Sequence, residues 1–330
     1  MPGFRRDQAR AAFFAVIHAV FSALAPVVLF ILIGFLSGRR GWIRASAVPD
    51  LTNLTFLILT PALLFRTMSS VHLDQLDFRP IGIYFAVAAA VFTGICAVRG
   101  FGRHGTVLAL AGTFSNTTMI GVPLIGLAFG PQGMVTLFTL ISVHAFVLLT
   151  GATILLELAV AREDAATGNH QQRHMAVTVL KAVRNGILHP VPLPIIVGLL
   201  YSLTGLPLPA VVDQSLLILG GAQVPVALIL VGLTLASARI GRELPGALSL
   251  SGVKTALHPA AMLVAGKAMG LSGVPLSVMI VTAALPIGAN VFLFSQRYRT
   301  AETVVTASVA VSTMVSLFTL PIALYVAAHL

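Results

Sequence analysis

Long apolar runs alternate with short polar stretches along almost the whole chain of 330 residues. A helix needs roughly 20 apolar residues to cross the hydrocarbon core of a bilayer. Inside that core every backbone polar group needs a partner, and an α-helix supplies one for each residue. The sequence therefore predicts an all-α polytopic membrane protein with ten transmembrane helices. These spans lie at about 14–37, 48–68, 80–99, 105–129, 132–161, 188–205, 209–238, 246–269, 275–296 and 303–328.

The composition agrees with a protein that lives in a bilayer. Hydrophobic residues make up 57% of the chain and charged residues only 9%, whereas soluble domains carry about 25% charged residues. The single cysteine, Cys96, rules out a disulfide framework and a cysteine metal cluster. The net charge of +10 does not indicate a nucleic-acid partner, because the basic residues occur a few at a time between apolar runs. No metal and no cofactor are expected.

Landmark residues recur in the two halves of the chain at a nearly constant spacing. The pairs, with their separations, are Pro26 and Pro194 (168), Arg99 and Lys267 (168), and Pro61 and Pro225 (164). Since each half holds five spans, an odd number, the second half must enter the membrane inverted. We therefore predict a first five-helix repeat at 1–161, a cytoplasmic linker at 162–187 and a second, inverted five-helix repeat at 188–330.

The distribution of basic residues predicts the orientation in the membrane, because short cytoplasmic loops carry an excess of Lys and Arg. Thirteen basic residues lie on the side that contains the linker, and six lie on the opposite side. We therefore expect an inner-membrane protein with both termini outside. Arg5, Arg6 and Arg10 at the N-terminus oppose this orientation but are outnumbered.

Two predicted spans, the fourth and the ninth, are interrupted near their middle by proline and asparagine. The segments are 113–130 (TFSNTTMIGVPLIGLAFG) and 282–299 (TAALPIGANVFLFSQRYR). Proline cannot donate a backbone hydrogen bond and clashes with the carbonyl one turn earlier. A membrane helix tolerates such a break where it lines a cavity. Two breaks at matching positions in two repeats indicate the substrate site of a transporter, and we expect them near 116–123 and 286–290.

The residues at these breaks can bind an anion. A helix that resumes after a break leaves unpaired N–H groups at its start, and its dipole favours negative charge. Asn116 can donate and accept hydrogen bonds, the two threonines add hydroxyls, and the glycines allow a ligand to approach the backbone. The alternative is that Asn116 and Thr117 only satisfy the backbone freed by the break. The candidate substrate-binding residues are Asn116, Thr117, Thr118, Gly121, Pro123, Pro286, Gly288 and Asn290.

Ionisable residues within the spans are few. All ten acidic residues lie in loops or near span ends, with Glu157 the deepest, which disfavours a buried acidic cation site and suits an anionic substrate. His144, Lys254 and His258 are the candidates for coupling or charge. Each histidine can equally be a neutral core residue, and Lys254 can either extend to the cytoplasmic face or attract an anion. Among the histidines we favour His258 as a proton carrier, because a proline follows it directly.

Motifs for enzymatic catalysis are absent from the chain. There is no HExxH, GxSxG or P-loop sequence, so we do not expect an enzyme. The sequence favours a secondary transporter that moves a small organic anion, such as a carboxylate, by alternating access. An anion channel or a receptor on the same fold is an alternative, although a channel needs a continuous polar stripe. A sodium-coupled symporter of the bile-acid type is another, since backbone carbonyls at a break can hold sodium.

Four motifs resemble one known family in their order and spacing. They are TPALLF at 60–65, NTTMIGVPL at 116–124, VPVALILVGLTLA at 224–236 and ALPIGAN at 284–290. Together they resemble the auxin efflux carrier family, whose plant members are the PIN-FORMED auxin exporters, and the resemblance covers nearly the whole chain. Because a long central loop is missing, the chain is similar to a bacterial-type member.

The resemblance to this family also implies an arrangement of the spans and a class of substrate. It implies a ten-span inverted-repeat fold in which spans 4 and 9 cross at their breaks. Spans 1, 2, 6 and 7 would form a scaffold, and spans 3–5 and 8–10 a moving transport domain, as in an elevator mechanism. It also implies an efflux carrier for malate, malonate or a similar carboxylate, including an auxin-like acid. The sequence leaves open whether the coupling ion is a proton or sodium, and whether the protein forms a homodimer.

Overall fold

The computed structural model describes residues 24–71, 77–166, 180, 184, 191–238 and 241–330. Most of the predicted linker 162–187, the N-terminus and the start of the first predicted span lie outside these residues. The described backbone is almost entirely helical. The helices are α1 (Leu24–Arg39), α2 (Ala45–Met68), α3 (Arg79–Arg99), α4 (Arg103–Thr113), α5 (Val122–Ala166), α6 (Pro192–Ser202), α7 (Ala210–Ser237), α8 (244–268), α9 (Gly273–Ala284), α10 (Asn290–Arg297) and α11 (Glu302–Ala327).

Five helices of the described chain are long and apolar enough to cross a membrane. They are α2, α3, α5 with the turn before it, α7 and α11. The helices α1, α6 and α9 are apolar but shorter. This agrees with the predicted all-helical, multi-pass membrane protein.

The helix α5 is 45 residues long but is not continuous. Gly130 has φ 58° and ψ −152°, and Pro131 follows it. Glycine adopts a positive φ at little steric cost, and proline has no backbone N–H to donate to the preceding helical turn. The chain therefore turns at Gly130, between the segments predicted as the fourth and fifth spans.

Three π-helical turns lie within α2, directly before α5 and within α8. The turns are Thr55–Leu59, Thr117–Gly121 and Val253–Leu257, followed two residues later by Pro61, Pro123 and Pro259 respectively. Each proline ring would clash with the carbonyl four residues before it, which lies inside the π-turn in all three cases. The wider turn relieves this clash and bends the helix.

The helices pack in two groups. The helix α2 packs mainly on α6 and α7, whereas α3, α4, α5, α8, α9, α10 and α11 pack mainly on one another. The helix α1 lies against α7 through facing glycines. A Cβ atom at Gly34 would lie 2.0 Å from the carbonyl oxygen of Ile229, and one at Gly232 would lie 2.0 Å from that of Ile31. Only glycine permits this close approach of two helix backbones.

The two groups share one apolar core. Buried Leu64 and Leu228 from the first group and Ile120 and Leu285 from the second belong to the same cluster of side chains. Contacts between the groups also run from α5 to α6 and from the turn at Thr117–Gly121 to α7. The first predicted break therefore lies at the boundary between the groups.

Candidate functional site

The first break lies between α4 and the turn that precedes α5. Helix α4 ends at Thr113, Phe114 is extended with ψ 110°, and the helix resumes at Thr117. Asn116 caps the resumed helix, because its side-chain oxygen Oδ1 accepts a hydrogen bond from the backbone N–H of Met119 at 3.3 Å. The non-helical residues are thus 114–116. The irregular backbone begins two residues before the predicted break at 116–123 and continues through the π-turn Thr117–Gly121.

The second break lies between α9 and α10. Helix α9 ends at Ala284, Leu285 is extended with ψ 149°, and α10 starts at Asn290. Pro286 has no N–H group to satisfy. The buried backbone N–H of Ile287 donates to the hydroxyl Oγ of Ser312 in α11 at 3.1 Å. Support for this break therefore comes from another helix.

The two breaks are hydrogen-bonded to each other. The backbone N–H of Asn116 donates to the carbonyl of Pro286 at 2.9 Å, and that of Gly288 donates to the carbonyl of Phe114 at 2.9 Å. These bonds make an isolated antiparallel bridge that pairs Ser115 with Ile287. Two of the backbone N–H groups at the breaks are thus satisfied by the opposite break.

A glycine is required where the breaks meet. A Cβ atom at Gly288 would lie 2.6 Å from Cδ1 of the Phe114 ring and 3.1 Å from the carbonyl oxygen of Ser115. At Gly121 the one close contact of a Cβ atom would be the end of the Leu285 side chain, Cδ1, at 2.8 Å, since the carbonyl oxygen of Asn116 lies at an ordinary 3.6 Å. The second break therefore has less room for a side chain than the first.

Two cavities adjoin the crossing. One, of about 330 Å³, is lined by five of the eight predicted site residues: Asn116, Thr117, Thr118, Gly288 and Asn290. The other, of about 430 Å³, shares Asn116 with it and is also lined by Met119, Thr234 and Thr313. Among the described residues, the structure brings these five candidates together around one space.

The other three predicted residues line neither cavity. Gly121, Pro123 and Pro286 are buried in the protein. Gly121 donates its N–H to the carbonyl of Asn116 at 3.1 Å, and Pro286 contributes the carbonyl that accepts from Asn116. These residues therefore shape the break, while the other five form the cavity wall.

The cavity wall offers hydrogen-bond donors and no carboxylate. Asn116 uses its oxygen in the cap, which leaves its NH₂ group without a partner among the described residues. Within the described chain, neither cavity has Asp or Glu in its lining. Glu157, the deepest acid, accepts a hydrogen bond from the hydroxyl of Tyr298 at 2.9 Å. The starts of two helices meet at the crossing, so their dipoles and donors suit an anion.

A buried polar group lies behind the crossing. The hydroxyl of Tyr84 in α3 is 3.0 Å from Oγ of Ser115, which donates to the carbonyl of Thr282 at 2.8 Å. His144 lines the smaller cavity, and its ring centroid lies 4.7 Å from that of Phe114. Polar contacts therefore connect the crossing with the interior of the second group of helices.

The structure places Lys254 and the histidines in this interior. Lys254 is fully buried, and its Nζ atom donates to the carbonyl of Ala283 at 2.5 Å. The alternative that Lys254 extends to the cytoplasmic face is therefore wrong, because its side chain points inward. His258 is also fully buried, and neither of its ring nitrogens has a hydrogen-bond partner among the described residues, as is true of Nε2 of His144.

Sequence reasoning missed several polar residues of this region. Gln223 in α7 is fully buried, its Nε2 atom donates to the carbonyl of Thr118 at 3.2 Å, and its Oε1 atom has no partner among the described residues. A glutamine inside an otherwise apolar helix was the available signal. The roles of Tyr84, Ser115 and Ser312 had no such signal, because each depends on a contact with a distant segment.

Comparisons with known proteins place the chain among membrane transport proteins. A family model described as "Membrane transport protein" matches residues 19–324. A Rhizobium meliloti (strain 1021) protein named "Putative malonate transporter" is 26% identical, over 89% of this chain and 92% of that protein. "Uncharacterized transporter YfdV" of Escherichia coli (strain K12) is 24% identical, over 92% and 96%. "Auxin efflux carrier component 8" of Arabidopsis thaliana is 22% identical, over 91% and 95%.

Proposed function

The chain belongs to the auxin efflux carrier family of membrane transport proteins, and we propose that it is a secondary active efflux carrier for a small carboxylate. The family consists of membrane transporters, not enzymes. The carboxylate would bind where the two breaks cross and would be carried by alternating access.

The observation that carries this proposal is the pair of backbone hydrogen bonds between Asn116 and Pro286 and between Gly288 and Phe114. They hold two helix starts against one cavity of about 330 Å³, which is ample for a small organic acid. Irregular backbone within a membrane protein is tolerated where it lines such a cavity. The crossing therefore has the geometry expected of a carrier's central site.

An anion is the substrate class that the cavity suits best. The NH₂ group of Asn116 and the hydroxyls of Thr117 and Thr118 can donate to a carboxylate, and Asn290 adds a second amide from the opposite break. The absence of Asp and Glu from the described lining leaves these donors without a competing carboxylate. The name of the Rhizobium relative supports malonate or a similar acid as the first ligand to test.

We extend the proposal to the architecture. Ten spans would form two inverted five-helix repeats, with α4 and the start of α5 as the fourth span and with α9 and α10 as the ninth. The scaffold would contain α1, α2, α6 and α7, and the transport domain the remaining helices, in line with the two packing groups. Both termini would face outward across the inner membrane.

The hydrogen bond between Gln223 and Thr118 is a side-chain contact between these two domains. Gln223 lies on a scaffold helix, and Thr118 lies in the cavity wall of the transport domain. An elevator movement would break this single side-chain bond, which is worth about 0.5–1.5 kcal/mol. Such a bond can favour one position of the transport domain without locking it.

A thermal-shift experiment tests the proposed function. The purified protein is heated with malonate, malate or indole-3-acetate, each at two pH values and with or without sodium. Malonamide serves as an uncharged control of similar shape. A ligand that binds only the folded state raises the melting temperature, so we expect stabilisation by at least one carboxylate and none by malonamide. Stabilisation by cations or uncharged ligands alone would contradict the proposal, and a strict need for sodium would favour the sodium-coupled symporter.

A further inference from the structure

Lys254 is an unusual residue for the interior of a membrane protein. It lies in the π-turn Val253–Leu257 of α8 and has no exposed surface. Its one hydrogen bond among the described residues goes to the carbonyl of Ala283. Keeping an ionisable group away from water at this depth is costly, and residues of this kind commonly have a function.

No carboxylate lies beside Lys254 in the described chain. The ionisable side chains of the surrounding cluster are His258 on the same helix, Tyr84 on α3 and His144 on α5. Helix α9 has none. The other ionisable residues on α8 and on the helices packed against it lie near helix ends, except the buried Cys96: they are Arg79, Arg99, Arg103, His104, Lys267, Glu302 and Tyr325. An ammonium at Lys254 therefore has no partner of opposite charge.

Lys254 is bonded to the segment that forms the crossing. The carbonyls of Thr282 and Ala283 at the end of α9 accept hydrogen bonds from Ser115 and Lys254 respectively. Three residues after Ala283, Pro286 provides the carbonyl that binds the backbone N–H of Asn116. Lys254 is thus bonded to the last turn of α9, two residues before the second break begins at Leu285, and a helix C-terminus favours a positive charge there.

We propose that Lys254 is the proton-binding residue of this carrier. It is a neutral amine when the crossing is empty, and it takes up one proton when a carboxylate binds there. The proton comes from bulk water and bonds to the lone pair of Nζ, and no other bond is made or broken. The proposal rests on the proposed function, because the bound carboxylate supplies the negative charge that the described cluster lacks.

The physical reason is the coupling of two buried charges. A carboxylate alone in the cavity and an ammonium alone at Lys254 each lose hydration without a partner. Together they attract each other strongly, because the protein interior screens charges weakly. Binding of either one therefore favours binding of the other to the same extent.

Three ionisable side chains lie close to one another between the cavity wall and helix α8. His144 lines the cavity, its ring centroid lies 6.1 Å from that of Tyr84, and Tyr84 lies 5.5 Å from His258. His258 follows Lys254 by four residues, so the two share one side of α8. These groups are the other candidates for binding the proton, whereas the hydrogen bond to α9 belongs to Lys254.

The test counts protons taken up on binding. The wild-type protein, weakly buffered at about pH 7.5, is mixed with whichever of malonate, malate or indole-3-acetate gives the largest thermal shift. Carboxylic acids of this kind are fully ionised at that pH, so any proton comes from solution to the protein. We expect about one proton per carboxylate bound, and an affinity that falls up to about tenfold for each unit of rising pH.

Variants assign the proton to a residue. Lys254→Met keeps the length of the side chain without the amine, so it should bind the carboxylate more weakly and take up no proton. Lys254→Arg keeps a permanent charge, so its binding should not depend on pH. His258→Gln should keep the full proton count at equilibrium, because the proposal assigns the proton to Lys254. His144→Gln changes the cavity wall, so for this variant only the proton count per carboxylate bound is compared.

Each outcome decides a different point. Carboxylate binding to the wild type without proton uptake overturns the assignment, and this measurement needs no variant to fold. Proton uptake that persists in Lys254→Met but is lost in His258→Gln or His144→Gln also overturns it and assigns the proton to that histidine. If none of the three carboxylates binds the wild type, the proposed function itself fails, and the role of Lys254 fails with it.

Discussion

The two breaks at the crossing resemble each other in sequence but are held in different ways. The first break has a local cap in addition to the distant contacts of Ser115, because Asn116 caps the helix that follows through its own side chain. The second break depends on a distant helix, since Ser312 of α11 accepts the hydrogen bond from Ile287. The side-chain support of the helix after the first break thus lies within the break itself, whereas the second break makes a hydrogen bond to a side chain of α11.

The two breaks also differ in the space left at their glycines. A Cβ atom at Gly288 would crowd the Phe114 ring and the Ser115 carbonyl, whereas one at Gly121 would crowd the tip of the Leu285 side chain. A buried ring and a backbone carbonyl cannot move aside as a flexible side-chain end can. Substitutions at Gly121 and Gly288 should therefore have unequal effects.

The largest effect is expected for Gly288→Ala. The added methyl group would clash with Phe114 and push the two breaks apart, so carboxylate binding should fall more than about a hundredfold. Gly121→Ala is the matched control and should bind within about tenfold of wild type. Titration calorimetry measures both, with the circular dichroism spectrum as a check of folding. Equal losses in the two variants would mean that the breaks are equally constrained.

A smaller effect is expected for Asn116→Ala. A hydrogen bond to a charged group is worth about 1.5–3 kcal/mol, so carboxylate affinity should fall roughly ten- to a hundredfold. Asn290→Ala should show a smaller loss, because the Asn290 side chain caps no helix and makes no hydrogen bond among the described residues. Calorimetry with the same ligand compares the two variants. If both bind with wild-type affinity, the crossing is structural and the carboxylate lies elsewhere.

The positions of the breaks could be predicted from sequence because their causes are local. Proline, glycine and a capping asparagine act on their own backbone within one turn. The partners of the breaks could not be predicted, because Tyr84, Gln223 and Ser312 act across long stretches of sequence. For the same reason sequence could not decide the direction of Lys254, which depends on where α9 ends.

The dependence of the second break on α11 can be tested with Ser312→Ala. The buried N–H of Ile287 would lose its acceptor, which costs about 1–3 kcal/mol. Ser308 is the matched control, since its hydroxyl bonds, within the described part of the chain, only to the carbonyl of Val304 in the same helix. We expect a clear drop in melting temperature for Ser312→Ala and little change for Ser308→Ala. Similar shifts would argue against a special role of α11.

The smallest effect is expected for Pro123→Ala. Pro123 follows the π-turn Thr117–Gly121, and its removal allows a regular helix to form there. The protein should stay folded, and transport in proteoliposomes should slow by less than about tenfold, because Asn116 keeps its cap. Unchanged transport would show that the π-turn is not needed at the first break.

The central claim is that a carboxylate binds at the crossing of the two breaks. An experimental structure with the carboxylate that gives the largest thermal shift tests this claim most directly. The claim predicts ligand density in the cavity of about 330 Å³, within hydrogen-bond distance of Asn116 and close to Asn290. Density in the separate cavity beside Arg66 and Asp213, with the crossing empty, would contradict it.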